Sequence, residues 1–248
     1  MGVINLSPDS KNTHTIARSV DEALLMADRY RRWGAGMIDI GGQSSHLDNP
    51  TIAAADEITG VVPAVEALAA EGHLVSIDTW KAEVAEAAVT AGAVVINDTG
   101  GLIDPAMREV VAKTGVAAVA VYVEGANPHA VREVEIRDDK AEHTSEGFRT
   151  LLEDLAGEGI HNVIVDPGIA INYRGDYEAY SRMQLQVIAG SRHLRDLGKP
   201  VLIPIPRKRD GHRMAVYIGI ALEHEADIVR VHDVAMACDL VRLFGRAP

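Results

Sequence analysis

The chain has 248 residues and a formal net charge of −12, because 36 Asp and Glu residues outnumber 24 Lys and Arg residues. This acidic balance argues against nucleic acid or a membrane surface as a partner, since both require basic stripes. Cys238, the single cysteine, excludes an intrachain disulfide. No apolar run approaches the roughly 18 residues of a membrane span, and no signal peptide follows Met1, so we expect a cytoplasmic protein.

Eight short apolar runs recur along the chain, and each ends in a polar or charged residue. They cover residues 2–5, 37–39, 74–78, 94–98, 116–122, 163–166, 201–208 and 227–232. A helix-like segment follows nearly every run, which is the rhythm of strand–helix units around a parallel sheet. A chain of this length matches one such barrel. We therefore predict an α/β protein with a single (β/α)8 TIM-barrel domain over 1–248, in preference to an open doubly wound sheet.

Capping signals locate the helices between the runs. Ser19 and Glu22 form a capping box, and Gly34 is a stop signal for the helix that they open. Asp104 and Pro105 suit the N-cap and first position of a later helix. Further helices are predicted over 82–91, 141–156, 214–222 and 234–244. The last two are long and apolar, which favours a homodimer.

The residues that end the eight runs are predicted to meet at one mouth of the barrel. All strands of a (β/α)8 barrel point the same way, and the active site lies at their C-terminal ends. Side chains from distant parts of the sequence would therefore converge there. The predicted set is Asn5, Asp39, Asp78, Asn97, Asp166, Lys208, Arg230 and His232.

Two carboxylates in this set point to a ligand that carries N–H donors. Asp78 and Asp166 each end an apolar strand, and a buried unpaired charge is costly. An aminopyrimidine edge would satisfy them, with about 1.5–3 kcal/mol for each charge-assisted hydrogen bond. Asn97 can donate and accept, and Lys208 can donate to a ring carbonyl or nitrogen. The alternative is an internal Asp–Lys ion pair that only stabilises the barrel mouth.

The end of the eighth run suggests an anion site. Arg230 and His232 alternate with Val231, so both side chains leave the strand on one face. The loops after strands seven and eight are the usual phosphate site of such barrels. The alternative is a structural salt bridge from Arg230 to Asp227 or Glu225.

Seven sequence blocks resemble those of the dihydropteroate synthases, a family of pterin-binding barrels. They occur in family order, with family-like spacing, over nearly the whole chain. The blocks are Met-Gly-Val-Ile-Asn-Leu-Ser-Pro-Asp-Ser (1–10), Ile-Asp-Ile-Gly-Gly-Gln-Ser-Ser (38–45), Ser-Ile-Asp-Thr-Trp-Lys-Ala-Glu-Val-Ala (76–85), Ala-Gly-Ala-Val-Val-Ile-Asn-Asp (91–98), Asp-Pro-Gly-Ile (166–169), Arg-Lys (207–208) and Arg-Val-His-Asp-Val (230–234).

The resemblance implies an enzyme and a role for each matching residue. In the family, a hydroxymethyl-dihydropterin pyrophosphate loses pyrophosphate, and the amine of 4-aminobenzoate captures the methylene carbon. The implied pterin ligands are Asp78, Asn97, Asp166 and Lys208. The implied anion ligands are Asn5, Ser45, Arg230 and His232, with Asn5 also at a magnesium ion. Lys208, Arg230 and His232 are the implied catalytic residues.

Departures from the family pattern cluster in the loops that close over pyrophosphate and aminobenzoate. The first loop reads Ser-Lys-Asn-Thr-His (10–14) where the family has Ser-Phe-Ser-Asp-Gly-Gly. In the second loop, His46 replaces an arginine, which removes a permanent bidentate anion ligand. Pro206 replaces a serine after strand seven and removes a hydroxyl and a backbone donor. The segments 121–123 and 170–173 also differ.

Three functions therefore remain open at the level of sequence. The first is a dihydropteroate synthase-like transferase that uses 4-aminobenzoate or a different acceptor. The second is a divergent transferase of one-carbon groups that uses a reduced folate, although Lys208 stands where the methyltransferases usually have an amide. The third is a non-catalytic pterin-binding paralogue. All three share a small-molecule pterin as ligand.

Overall fold

The computed structural model describes residues 1–44, 46, 48–125, 127–130, 135–170, 176–206 and 210–245. Within them, strands and helices alternate along the chain. The strands are β1 (Gly2–Asn5), β2 (Ile38–Gly41), β3 (Val75–Asp78), β4 (Val95–Asp98), β5 (Ala117–Val121), β6 (Val163–Asp166), β7 (Leu202–Pro204) and β8 (Ile228–Arg230). The helices are α1 (Val20–Trp33), α2 (Ala54–Ala70), α3 (Ala82–Thr90), α4 (Pro105–Thr114), α5 (Lys140–Gly157), α6 (Tyr177–Ala189), α7 (Arg192–Arg195), α8 (Gly211–Glu223) and α9 (Val234–Leu243).

The strands follow one another around the sheet in chain order, and every pair is parallel. β1 to β6 form one ladder, and β7 pairs with β8. Single parallel bridges join the two ladders, from Gly2 to Val231 and from Val165 to Val201. The order is that of the predicted barrel, but pairing is sparse at these two seams. The register sets the strand ends level, with Asp78 opposite Asn97, for example.

The predicted helix boundaries are observed at both capping sites. The Glu22 backbone N–H donates to Ser19 Oγ at 3.1 Å, and the Glu22 carboxylate accepts from the Arg18 N–H at 2.8 Å. Gly34 ends α1 with a φ of 115°, a left-handed conformation that glycine adopts without strain. Asp104 accepts from the Ala106 N–H at 2.9 Å, with Pro105 at the first position of α4.

The core divides into a layer between sheet and helices and a smaller cluster inside the barrel. The inner cluster is apolar and lies between the strands. Its buried members are Val95, Val119, Val121, Ile164 and Leu202. The polar residues at the strand ends therefore lie next to a buried apolar cluster. In the described part of the chain, no helix has the length and apolar character needed to cross a membrane.

Candidate functional site

A network of buried polar groups lies at the C-terminal ends of the strands, with Asp39 at its centre. Asp39 is completely buried. Its carboxylate accepts hydrogen bonds from Ser76 Oγ at 2.6 Å, Asn97 Nδ2 at 3.2 Å and Arg230 Nε at 2.7 Å. Arg230 also donates from Nη2 to Asp78 at 2.5 Å. One guanidinium thus bridges two carboxylates that come from separate strands.

The predicted alternative of a salt bridge from Arg230 to Asp227 or Glu225 is wrong. Asp227 and Glu225 pair instead with Arg195, at 3.3 and 3.8 Å. Arg230 therefore lies with the carboxylates of the ring-binding set, and its contacts to Asp39 and Asp78 span 191 and 152 residues of sequence.

A pocket opens above this network and brings together three of the predicted pterin ligands. Its polar lining consists of Asp78, Asn97, Thr99, Asp166 and Arg230. Its remaining walls are small or apolar, and they are formed by Val121, Pro128, Gly168, Ala170 and Pro204. We call this the ring pocket. Two other predicted site residues, Lys208 and Ser45, lie outside the described part of the chain.

Asn97, which lines the ring pocket, has a buried acceptor without a hydrogen bond. Its Nδ2 donates to Asp39, and this contact sets the orientation of the amide because a carboxylate accepts but does not donate. Its Oδ1 is buried and makes no hydrogen bond. A ligand that carries an N–H donor would satisfy this oxygen.

Burial places two carboxylates of the ring pocket near the midpoint of their titration at neutral pH. It raises the pKa of Asp78 to about 7, although the positive charge of Arg230 lowers it. Burial also raises the pKa of Asp166 to about 7, against the opposing effects of the Gly168 N–H and Arg230. A ligand that donates to either carboxylate favours its ionised form, and bound and free states would therefore differ in protonation.

Three residues of this site had no assigned role in the sequence analysis: Asp39, Ser76 and Thr99. Asp39 was expected at the mouth but without a partner. Ser76 shares a strand face with Asp78 and is in register with Asp39, so a period-of-two search along β3 could have found it. No sequence signal marks Thr99, which follows β4 and lines the ring pocket.

The loop between β2 and α2 is held in place by contacts from two other loops. The His129 imidazole lies 3.0 Å from Ser44 O and 3.1 Å from Thr51 Oγ1. The same ring lies 5.0 Å from the ring of Trp80. Pro128, next to His129, lines the ring pocket, so these contacts fix one wall of that pocket.

A second anchor of this loop is the ammonium group of Lys81. It donates to Gln43 Oε1 at 2.5 Å, Ile52 O at 2.7 Å and Glu57 at 2.7 Å. Glu57 is buried, so the ion pair is shielded from solvent. His46, which replaces the family arginine, contacts Lys11 of the first loop. The first and second loops, which both depart from the family pattern, therefore contact each other through these two side chains.

His232 lies in a different pocket from Arg230. That pocket has apolar, basic and acidic residues in its lining, which consists of Lys11, Asn12, His14, Ile205, Met214, Ile218, Val231, His232 and Asp233. Asn5 ends β1, and its Nδ2 donates to Thr15 Oγ1 at 2.6 Å. The structure therefore separates two members of the predicted anion set, Arg230 and His232, between two pockets.

A magnesium ion would find one oxygen ligand at Asn5. Because Thr15 occupies Nδ2, Oδ1 is the atom that Asn5 can offer to a cation. Among the described residues, no group of three or more His, Cys, Asp or Glu side chains could hold a metal ion. Mg²⁺ is commonly held by few protein oxygens together with substrate phosphates and water, and one asparagine oxygen fits that pattern.

The raised pKa of Asp166 predicts how ligand-free stability depends on pH. A carboxyl whose folded pKa lies above its unfolded value stabilises the fold at acidic pH and loses that effect as pH rises through about 7. Asp166→Asn, which stays neutral, should therefore gain on the order of 1–2 kcal/mol relative to the unmodified chain between pH 5.5 and 8. Denaturation at both pH values measures this difference.

Asp176→Asn is the matched control for this measurement. Asp176 also accepts a backbone N–H two residues ahead, from Glu178 at 2.9 Å. Hydrogen bonds from Ala179 and Glu178 lower its pKa, so it stays ionised across the tested range. The stability of Asp176→Asn relative to the unmodified chain should not change with pH. An equally flat result for Asp166→Asn would contradict the assigned titration.

The chain is similar to known proteins over nearly its whole length. The profile of the family "Pterin binding enzyme" matches residues 1–240. A dihydropteroate synthase of Bacillus subtilis is 32% identical, over 98% of this chain and 86% of its own length. A probable bifunctional folylpolyglutamate synthase/dihydropteroate synthase of Haloferax volcanii is 33% identical, and this chain spans 30% of its length.

Solved structures confirm the predicted fold class. Dihydropteroate synthase of Yersinia pestis, in complex with a sulfonamide drug, superposes with a TM-score of 0.85 at 28% identity, over 99% of this chain and 92% of that one. The Xanthomonas albilineans enzyme with 4-aminobenzoic acid gives 0.84 at 28% identity, over 99% and 91%. Family profile, relatives and fold agree, and the chain belongs to the pterin-binding enzymes, as a divergent member of the dihydropteroate synthase family.

Proposed function

We propose that this chain is a dihydropteroate synthase-like transferase that binds a pterin in the ring pocket. The observation that carries the proposal is the convergence of Asp78, Asn97 and Asp166 in one pocket at the strand ends. The reaction would join the methylene carbon of 6-hydroxymethyl-dihydropterin pyrophosphate to the amine of 4-aminobenzoate or of a different acceptor. Pyrophosphate would leave with the electron pair of its bond to that carbon, and the amine would then capture the electron-poor methylene and lose a proton.

Recognition of the pterin would depend on the hydrogen-bond acceptors that line the pocket. The carboxylates of Asp78 and Asp166 accept from the ring N–H groups, and Asn97 Oδ1 accepts from another donor. Lys208, near the end of the loop after β7, would donate to a ring carbonyl or nitrogen. A reduced folate carries the same ring edge and would be held in the same way.

The anion half of the site would stabilise the leaving group. Its proposed members are Asn5, Ser45, Arg230 and His232, with Lys208, Arg230 and His232 acting in catalysis. Arg230 donates to Asp39 and Asp78, so a pterin that binds Asp78 would release Nη2 for a phosphate oxygen. When bound, Mg²⁺ would neutralise charge on the departing pyrophosphate, with Asn5 as a protein ligand.

Binding without turnover is the second candidate. It is favoured by the position of Arg230, which both carboxylates engage, and by the separate pocket that contains His232. His46 and Pro206 further weaken the groups expected over the pyrophosphate and the acceptor. A one-carbon transferase that uses a reduced folate would share the ring pocket but need no pyrophosphate site.

Calorimetry with 6-hydroxymethylpterin, repeated with pyrophosphate and Mg²⁺, tests the proposal together with a turnover assay. The transferase predicts tighter pterin binding in the presence of both ions, and product from the pterin pyrophosphate and 4-aminobenzoate or another arylamine. If pyrophosphate and Mg²⁺ leave the pterin affinity unchanged and micromolar enzyme forms no product, the chain is a non-catalytic pterin-binding protein instead. No pterin binding at all would end both proposals.

A homodimer is part of the same proposal. Val216 on α8 and Leu243 at the end of α9 are exposed apolar side chains, and Phe244 follows directly. An assembly through the last two helices would cover them, as the sequence analysis expected.

A further inference from the structure

The carboxylate of Asp39 lies one layer below the ring pocket, inside the barrel. It is completely buried and is absent from the lining of that pocket. The strand register places Asp39 level with Ser76, which is two residues below the level of Asp78. A ligand in the ring pocket would therefore not touch Asp39, and any effect of this carboxylate on the ligand would pass through other side chains.

Two residues that line the ring pocket donate hydrogen bonds to Asp39. Arg230 Nε and Asn97 Nδ2 reach the same oxygen, Oδ2, at 2.7 and 3.2 Å, and Ser76 Oγ donates to Oδ1 at 2.6 Å. Because a carboxylate accepts and does not donate, Asp39 fixes which end of the Asn97 amide turns toward it. One buried oxygen thus sets the orientation of a guanidinium and of an amide.

The guanidinium of Arg230 keeps N–H groups that a ligand could use. Its Nε donates to Asp39 and its Nη2 to Asp78, whereas Nη1 makes no hydrogen bond to the described residues. The Arg230 side chain is 16% exposed and lines the ring pocket. Because a guanidinium is planar and rigid, holding Nε and Nη2 also sets the direction of Nη1. The two carboxylates therefore aim the remaining donors of Arg230.

Packing alone does not require a carboxylate at this level of the barrel. The position on β4 that is level with Ser76 is Val95, a member of the inner apolar cluster. Apolar residues of similar volume often stabilise a protein interior as well as a buried ion pair does. Stability therefore does not explain the charge of Asp39, whereas the orientation of Arg230 and Asn97 does.

We propose that Asp39 is a positioning residue, which holds the Arg230 guanidinium and the Asn97 amide in the orientation that binds the ligand of the ring pocket. This inference rests on the proposed function, because it takes that ligand to be a pterin. Asp39 would act on affinity without any contact to the ring. Its removal would leave the pocket residues in place but free to turn.

Two substitutions of similar size separate the acceptor of Asp39 from its charge. Asp39→Asn keeps an oxygen for Arg230 Nε and Asn97 Nδ2, whereas Asp39→Leu removes it. In calorimetry at pH 8 we expect Asp39→Leu to weaken binding of 6-hydroxymethylpterin about 20-fold or more, and Asp39→Asn to stay within about 3-fold. Unchanged affinity in a folded Asp39→Leu variant would overturn the inference. If Asp39→Leu does not fold, Asp39→Asn and its pH dependence carry the test.

The dependence of affinity on pH is a readout that a packing role would not move. Burial raises the pKa of Asp78 and of Asp166 to about 7, and the charge of Asp39 adds to both rises. Asp39→Asn should therefore lower both pKa values, so that affinity increases less from pH 5.5 to pH 8 than in the unmodified chain. An unchanged increase would overturn the inference. The charged groups that act on Asp78 are Arg230, Asp39, Glu57 and Asp98, and those that act on Asp166 are Arg230, Asp78 and Asp39.

A double substitution tests whether Asp39 acts through Arg230. In a chain that carries Arg230→Met, the guanidinium that Asp39 holds is absent. Asp39→Leu should then cost at least about threefold less affinity than it does in the unmodified chain, because residues that act as a unit are not additive. Equal losses in the two chains would overturn the inference.

Asp227→Asn is the matched control. Asp227 also pairs with an arginine, Arg195, at 3.3 Å and accepts the Val201 N–H at 2.8 Å, but it does not line the ring pocket. Its substitution should leave the pterin affinity and its pH dependence unchanged. Pterin binding that Asp39→Leu leaves unchanged overturns the role of Asp39 but keeps the proposed function. An unmodified chain that binds no pterin overturns both.

Discussion

Replacing Arg230 by methionine should destabilise the ligand-free protein by about 3–5 kcal/mol, as expected when a buried ion pair loses one partner. Asp39 is completely buried and receives the Arg230 Nε at 2.7 Å, and Asp78 receives Nη2 at 2.5 Å. Methionine fills much of the same volume but leaves both carboxylates without a cation. The loss can be measured as a shift in the urea midpoint.

The dependence of this loss on pH identifies its electrostatic origin. Arg230 lowers the pKa of Asp78, which burial holds at about 7, so the variant should raise that pKa further. Protonation then removes part of the penalty, and the loss should be smaller at pH 5.5 than at pH 8. Arg195→Met is the matched control, because Arg195 forms its ion pairs at the surface and should cost about 1 kcal/mol or less. If both variants lose the same free energy of unfolding, the ion pairs of Arg230 contribute no more than those at the surface.

The fold was largely predictable because its elements are encoded locally. A capping serine, a stop glycine and runs of apolar residues set boundaries without reference to distant parts of the chain. The last two runs were longer than their strands: in the described part of 201–208 the strand is Leu202–Pro204, and within 227–232 it is Ile228–Arg230. Proline cannot donate to a ladder, and Pro206 ends the pairing after the Ile205 N–H has bonded to Arg230 O at 2.9 Å.

The membership of the ring pocket was predictable for a related reason. Parallel strands in register bring their C-terminal ends to one level, so Asp78 and Asn97 had to be neighbours once the strands were identified. Asp166 ends β6 in the same way. These three positions required no knowledge of side-chain contacts.

The partners within the pocket were not predictable. The predicted salt-bridge partners of Arg230 were Asp227 and Glu225, which are close in the sequence. In the structure Arg230 pairs with Asp39 and Asp78 across the barrel. Which side chains meet across a barrel depends on its closure and on side-chain length, and neither is written in a local pattern. The orientation of the Asn97 amide follows from its own contact across the barrel, to Asp39.

Asp166→Asn should weaken pterin binding by about 100-fold or more. A carboxylate can accept two N–H groups from a ring edge, and each charge-assisted hydrogen bond contributes about 1.5–3 kcal/mol. Asparagine offers one acceptor, and its NH₂ group opposes a ring N–H. Because the Gly168 N–H donates to Asp166 Oδ1 at 2.7 Å, the amide oxygen would stay with the backbone and the NH₂ would face the ligand. Calorimetry with 6-hydroxymethylpterin measures the loss.

The dependence of affinity on pH separates charge from shape in this variant. Pterin binding needs the ionised carboxylate, and burial raises the pKa of Asp166 to about 7, so affinity should increase from pH 5.5 to pH 8 in the unmodified chain. Asp166→Asn should lose part of this increase and keep the part due to Asp78, whose pKa burial also raises to about 7. Asp176→Asn, at the exposed N-cap of α6, should bind as the unmodified chain does. An Asp166→Asn variant with unchanged affinity would remove the carboxylate from ligand recognition, and with it the premise shared by every function considered for this barrel.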